Sequence, residues 1–563
     1  MKISVFSAVM VSVPVLLATL ASCADVEFGS SDEGSVDQSS DAVPADDGGG
    51  LPVPIDPVND GVVIVDEQDG GSDIVEPAVS CEGSTPPVGS CAASEENGIF
   101  VAPGGSDGAC GTRELPCGTL AAGIDRAASR HKRVYVCGDL EHYTENVVVG
   151  GYSDGLELFG GFHCGSWEYD PDNVRAEVAP TSGSALTVRE LKKGVAFYDF
   201  AFASPDETIP GSSSISVKLF NSAGVLFSNV SIKAGAGANG QHGSHGVNAE
   251  SSNDAEYGYQ LVGQSGSCDA STSLVAGGSR PIAFSCLAGG SSRGGSGGAS
   301  VVSGTGLSGM IGTPTSNVLG SDTGEGGIGG TLFSPVGGDG CDGSDGVSGD
   351  HGHKSYGGSL NIEGYSPGRG NNGADGSPGQ GGGGGGAGWS ATVVGGICRG
   401  GGGGSGGNGG CGGFRGTGGG GGGASIAVFS VSSSITLENC EITAGTGGIG
   451  GNGGNGGKGG PGMAGSDGGG RTISVTEKAH PSGNGGRGGR GGRGGDGGGG
   501  SGGGGGPSFA FALANSDLNR IGSVIVSLGF GGSGGIGGTR SDGTAAPQGH
   551  NGRTEAIELF LVD

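Results

Sequence analysis

Glycine stands at Gly447, Gly450, Gly453, Gly456, Gly459, Gly462, Gly465 and Gly468, every third place through GGIGGNGGNGGKGGPG and beyond. The following position is also mostly glycine, and Ile449, Asn452, Asn455 and Lys458 fill the third. The same period returns at Gly483–Gly498, with Asn484, Arg487, Arg490, Arg493 and Asp496 in the third place. Three residues per turn is the repeat of a polyproline-II-type helix, which has no internal hydrogen bonds. Its N–H and C=O groups must find water or a neighbouring chain. Glycine on two of three faces removes the Cβ atoms that would keep neighbours apart. Side chains on the third face then recur roughly every 9 Å. The outgoing and returning runs are therefore expected to pack as a polyglycine II-like bundle. The alternative is a disordered Gly-rich linker, because glycine loses the most conformational freedom on ordering. Collagen is disfavoured: Pro461 is alone in its run.

With 141 glycines among 563 residues and 5% aromatics, one large conventional core is excluded. Ordinary strand patterns nevertheless recur. Ala185–Ser204, Ser214–Gly237, Ser425–Gly448 and Ser508–Gly532 each read as a short strand, a turn and two further short runs. The last three open into glycine, and AIELFLVD closes the chain as one more strand. A repeat of about twenty-odd residues predicts a solenoid whose coils bury their apolar sides against one another. An antiparallel sandwich with long loops is the alternative. The glycine segments, about Ala234–Ala424, Gly445–Pro507 and Gly529–Arg553, read as inserts leaving the repeat.

The N-terminus carries Lys2, an apolar run from Val5 to Leu20 and then Leu20-Ala21-Ser22-Cys23. The run is too short and wrongly flanked for a spanning helix and reads as a signal segment. Leu20–Cys23 resembles the bacterial lipobox, which implies cleavage before Cys23 and lipidation of that cysteine. Ala24 after it implies outer-membrane sorting, and an alternative is an ordinary secretory signal. No Lys or Arg occurs between Cys23 and Arg113. Residues 23–97 therefore read as an acidic, disordered tether. The alternative is an acidic run that binds Ca²⁺ or a basic partner. The formal net charge of −29 argues against nucleic acid.

Thirteen cysteines leave twelve once Cys23 is set aside, an even number in an exported chain and the sign of a disulfide framework. Sequence does not fix the connectivity. The local pairs Cys81–Cys91, Cys110–Cys117 and Cys137–Cys164 are the expected ones. Zinc is disfavoured by the absence of paired C-x-x-C spacing.

Residues 99–173 hold a short strand at Ile99-Phe100-Val101, a helix capped by Thr119 with Leu120, Ile124 and Ala127 on one face, and the runs VYVCG, NVVVG and LELFGG. The order V-x-P-x-G-S-D, P-C-G-T-L-A-A-G-I, V-Y-V-C-G-D, Y-x-E-N-V and L-F-G-G-F-x-C-G-S-W-x-Y-D-P resembles the N-terminal coils of right-handed parallel β-helix (pectin-lyase-like) proteins. More narrowly, it is similar to cysteine-containing surface lipoproteins of myxobacteria and relatives. The resemblance covers about Phe100–Asn173 and implies an all-β, right-handed parallel β-helix solenoid with an N-terminal helix cap. The glycine repeats resemble those of PE-PGRS proteins and springtail antifreeze proteins, through composition alone.

The expected organisation is a signal segment (1–22), tether (23–97), cap and first coils (98–233), long glycine insertion (234–424), a coil (425–444), a glycine-repeat insertion (445–507) and terminal coils (508–563). Chemistry is sparse. The GxGxxG matches lack a strand–turn–helix context. Gly337–Asp345 fits only part of a calcium nonapeptide. His242 with His245, and His351 with His353, are candidate ligands or simply exposed polar residues. Arg487, Arg490 and Arg493 form a basic ridge suited to acidic glycans or to solubility alone. Asp199 and Glu438 fall on expected strands without a repeated carboxylate constellation. No catalytic residue, metal ligand or cofactor is assigned. The expected role is a lipid-anchored structural or adhesive protein at the outer membrane, facing the cell exterior, with a membrane partner and extracellular glycans or matrix. The alternatives are a polysaccharide-degrading enzyme and an ice- or glycan-binding surface.

Overall fold

The computed structural model describes residues 93–249, 261–268, 274–302, 304–320, 323–393, 396–471 and 482–562. The signal segment, Cys23, the tether up to residue 92 and the Cys81–Cys91 pair lie outside the described residues. Among the described residues, no helix is long and apolar enough to cross a membrane.

The chain begins with β1 (Gly98–Val101), α1 (Leu120–Arg130), β2 (Arg133–Cys137), β3 (Val147–Val149), β4 (Glu157–Phe162) and β5 (Ala176–Val178). Three-strand sets follow: β6 (Leu186–Arg189), β7 (Val195–Tyr198) and β8 (Phe200–Ala203), then β9 (Ser214–Phe220), β10 (Val225–Ser228) and β11 (Ser231–Lys233). Three small antiparallel hairpins interrupt the long glycine segment: β12 (Phe284–Ser285) with β13 (Ser291–Ser292), β14 (Ser359–Asn361) with β15 (Gly364–Ser366), and β16 (Ala391–Val393) with β17 (Gly396–Cys398). The sets resume as β18 (Ser425–Val431), β19 (Ser434–Glu438) and β20 (Glu441–Ala444), then β21 (Ser508–Ala514), β22 (Asp517–Ile521) and β23 (Ile525–Leu528), and end on β24 (Thr554–Leu559).

These strands form three parallel sheets. Sheet A runs β1-β2-β4-β7-β10-β19-β22, sheet B runs β5-β8-β11-β20-β23, and sheet C runs β3-β6-β9-β18-β21-β24. Neighbouring strands pair in register: Val195 opposes Val225, which opposes Ile435, which opposes Leu518. Alternating residues of β7 and β10 point inward, so Phe197 and Phe227 stack with ring centroids 5.5 Å apart. Burying each such ring contributes about 1.5–3 kcal/mol. Strands β18 and β21 are buried on both faces. Their outward residues Phe429 and Phe509 are covered by Leu360 and Tyr365 of the β14–β15 hairpin and by Phe560.

The expected right-handed β-helix is corrected by this arrangement. The described residues make a stacked parallel-sheet fold of seven-, five- and six-stranded sheets, not a closed solenoid. The physical reason lies after β11, β20 and β23. There the chain lacks side chains to close around a core, and its backbone groups bond sideways instead. The antiparallel sandwich is likewise overturned, because every pairing within the three sheets is parallel.

Between sheets A and B the chain turns through left-handed residues Asp199, Asn229 and Asn439 (φ 61°, 55° and 51°). Asp and Asn tolerate this region because their short polar side chains bond locally. Here Asn229 Nδ2 donates to Asp199 Oδ1 at 2.7 Å, binding one corner to the next. Helix α1 starts at Thr119, whose hydroxyl accepts from Ala122 N–H, and buries Leu120, Ile124 and Ala127 among the strands. Asp107 and Glu145 add carboxylate acceptors at the same helix end, to Gly118, Thr119, Leu120 and Ala121.

The glycine runs continue the sheets as hydrogen-bonded layers, which overturns the disordered reading for the described runs. Gly447, Gly450, Gly453 and Gly456 donate to Phe530, Ser533, Ile536 and Thr539 at 2.8–2.9 Å, with both runs advancing together. Gly448, Gly451, Gly454 and Gly457 donate to Gly423, Gly420, Thr417 and Phe414, a run of opposite direction. A period of three on both sides means three residues per turn. At Gly451 an added Cβ would be driven into the carbonyl of Gln241, so the close approach of runs requires glycine there.

Candidate interaction face

The layer that grows from sheet B carries a regular surface. After β11, β20 and β23 the chain enters three parallel runs, around 237–249, 445–458 and 529–540. Their order and offset are inherited from the strands. Ser231 pairs with Glu441 in the sheet, and Asn239 bonds to Ile449 across the same separation of 210 residues. The backbone N–H and C=O of Ile449, Asn452, Asn455 and Lys458 are spent within this layer. Gly240, Gly243 and Gly246 donate to the carbonyls of Ile449, Asn452 and Asn455. Third-position side chains are therefore left facing outward, and they are exposed along all three runs.

Those side chains do more than decorate. Ile449 N–H donates to Asn239 Oδ1 (2.8 Å), Asn452 N–H to His242 Nδ1 (2.9 Å), Asn455 N–H to His245 Nδ1 (2.9 Å) and Lys458 N–H to Asn248 Oδ1 (2.8 Å). One run further on, Ile536 and Thr539 donate to Oδ1 of Asn452 and Asn455 at 2.9 and 2.8 Å. Asn239, His242, His245, Asn248, Asn452 and Asn455 thus hold the next run in register. His242 and His245 must keep Nδ1 unprotonated to accept, which places the proton on Nε2. They serve as backbone acceptors. Among the described residues no group of three or more His, Cys, Asp or Glu is arranged to hold a metal ion.

A second ladder explains the partial calcium motif. Asp339, Asp342 and Asp345 accept from the N–H groups of Arg487, Arg490 and Arg493, each at 2.6 Å, and His351 Nδ1 accepts from Gly499 at 3.1 Å. The basic ridge therefore has an aspartate row immediately beside it. Arg487 also pairs with Asp467 at 2.8 Å and Arg493 with Asp496 at 2.6 Å. Asp496 is buried, and burial pushes its carboxyl up. Hydrogen bonds from the Ser541 hydroxyl and Gly459 N–H, with the Arg493 guanidinium, outweigh this and hold it below the usual carboxylate range.

The expected coil carboxylates stand apart in role. Asp199 occupies a buried corner rather than a strand, bonded by Tyr169 and Asn229. Burial raises its pKa despite these donors. Glu438, at the end of β19, accepts from the Ser228 hydroxyl at 3.2 Å. A polar cleft of about 520 Å³ beside α1 includes Arg133, paired with Glu157 at 2.7 Å, and Asp154, which accepts from Lys192, Lys193 and Gly194 N–H. Burial and then these backbone bonds act oppositely on Asp154, and the bonds prevail, lowering its pKa.

Cys110 is joined to Cys117, and Cys137 to Cys164. Two long-range bridges, Cys268–Cys398 and Cys286–Cys411, staple the long glycine segment. Cys440 is a buried free thiol, so an even count did not mean that every cysteine is bridged.

Sequence reasoning singled out His242 with His245 and the ridge of Arg487, Arg490 and Arg493 but missed the ladders. The signal was present as N-x-x-H-x-x-H-x-x-N at Asn239–Asn248, in phase with I-x-x-N-x-x-N-x-x-K at Ile449–Lys458. Comparison with known proteins found no matching family model, curated protein or solved structure.

Proposed function

We propose that this is a lipid-anchored cell-surface protein with a structural or adhesive role and no catalysis. Cys23 is the anchoring residue and the outer membrane the site. The acidic segment spaces the folded body from the bilayer, and the glycine bundle presents a face to the surroundings. The observation that carries this reading is the ladder of Asn239, His242, His245 and Asn248 against the run from Ile449 to Lys458. The Asn and His side chains of this face are fixed by backbone bonds and lose little further entropy when they meet a partner. Several acyl chains on one cysteine would make membrane attachment stable, at about 0.8 kcal/mol per buried CH₂.

The test is fractionation and adhesion of cells expressing the full chain. Cys23→Ser is expected to move the protein from the membrane to the soluble fraction and to abolish any gain in cell adhesion. Firm membrane retention of Cys23→Ser would overturn the anchoring claim. Unchanged adhesion upon deletion of the protein would overturn the adhesive one.

A further inference from the structure

The ladders fix which atoms the outward face can offer. In Asn239, Asn248, Asn452 and Asn455 the carbonyl oxygen is consumed by a backbone N–H of the next run. In His242 and His245 the acceptor nitrogen Nδ1 is consumed in the same way. An amide oxygen keeps a second lone pair, so each asparagine still offers one acceptor site beside its two donors; a neutral imidazole has only the one acceptor. What remains outward is Nδ2–H₂ from each asparagine and Nε2–H from each histidine, and none of these donors has a partner among the described residues. The two histidines are here turned into donors alone, and the asparagines are biased toward donation. They recur every third residue, roughly 9 Å along a run, on adjacent parallel runs. Lys458 extends the same row with a further donor.

We infer that this face binds a polysaccharide, through rows of sugar oxygens that accept from the Asn and His donors. The inference deepens the adhesive reading and rests on it for its biological setting. The chemistry follows from the array. A partner for it must present oxygen acceptors at repeating intervals along an extended chain, and must be tolerant of a chain that is acidic overall. Hydroxyl, ring and glycosidic oxygens meet both needs. Carboxylates on a uronic acid are stronger acceptors but meet the net negative charge of the protein. Exposed Ile449 and Ile536 stand in the same rows and offer apolar contact to the flat faces of sugar rings.

The experiment uses the full-length protein in detergent with two probes, insoluble cellulose for the neutral chemistry and alginate for the carboxylate-bearing one. Asn452→Asp with Asn455→Asp keeps an oxygen to accept from Ile536 and Thr539 but replaces the outward donor with a charged acceptor. Retention on at least one probe is expected, and the double variant should weaken it about tenfold or more, since each lost hydrogen bond and the new charge act together. His242→Asn with His245→Asn keeps both acceptor and donor and should bind as the native chain does. Unfolding of each variant, followed by circular dichroism, separates loss of donors from loss of fold. No retention on either probe overturns the inference, as does undiminished retention by a folded Asp variant. Surface labelling of intact cells is scored separately. Purified protein that binds polysaccharide but is not labelled on cells would sink the surface reading and leave this one standing.

Discussion

His245 Nδ1 accepts the backbone N–H of Asn455 at 2.9 Å, across 210 residues of sequence. The same slot one repeat earlier is filled by His242, and at the two ends by Asn239 and Asn248. Imidazole nitrogen and amide oxygen are therefore interchangeable here. His245→Asn is expected to leave unfolding within about 0.5 kcal/mol of native, whereas His245→Leu strands an N–H and should cost about 1 kcal/mol. Denaturant titration of both variants checks this; equal destabilisation by Asn and Leu would contradict the acceptor role.

Close approach of runs should make substitutions sharply position-dependent. Gly451→Ala drives a methyl into the Gln241 carbonyl, whereas Gly470→Ala meets nothing nearby. Gly451→Ala should destabilise by about 1–3 kcal/mol, and Gly470→Ala should be close to neutral. Thermal unfolding of the pair distinguishes a packed bundle from a flexible spacer, in which both would be tolerated.

Much of this was legible in sequence, but unevenly. The period of three around Gly447 names the helix type and the outward residues, because the geometry is local. Thr119 with Leu120, Ile124 and Ala127 names α1 for the same reason. What stayed hidden was which runs touch. The 210-residue offset between Asn239 and Ile449 is set by the strand register of β11 on β20, and no local pattern encodes it. The closed solenoid was misread because strand repeats such as Ser425–Gly448 announce stacking without saying whether each circuit closes.

Around the Cys137–Cys164 bridge, His163 lies between Asp139 (2.8 Å) and Asp170 (3.3 Å). The hydrogen bond to Asp139, then that to Asp170, raises the histidine pKa above 6.5. For Asp139, burial acts upward, but the Cys164 N–H and His163 bonds prevail and lower it below 3.8. Asp170 is lowered first by Asn173. The histidine's contribution is present below pH 6.5 and is lost as pH rises through its raised value. The aspartates' contribution is present above pH 3.8 and is lost as pH falls through their lowered values. Local stability should therefore peak between these limits. His163→Gln should flatten the alkaline limb in a pH series of amide exchange at β4; an unchanged limb would contradict the assignment.

Cys286–Cys411 spans 125 residues of glycine-rich chain. Replacing both cysteines with serine should cost about 2–4 kcal/mol, because the long loop regains its freedom when unfolded. Cys440, by contrast, is buried and its thiol pKa is raised by that burial. Peptide mapping after alkylation should find Cys440 unmodified in the native protein and labelled only on unfolding. Rapid native labelling would place it elsewhere than the core.

The most direct test of the account is amide hydrogen exchange on the full-length protein, resolved at Gly447–Gly457 and at Val195–Tyr198. Each of Gly447, Gly448, Gly450, Gly451, Gly453, Gly454, Gly456 and Gly457 donates to a neighbouring run. Protection there comparable with that of the parallel strand β7 is expected. Exchange at the rate of an unstructured chain in the glycine run, beside a protected β7, would contradict it.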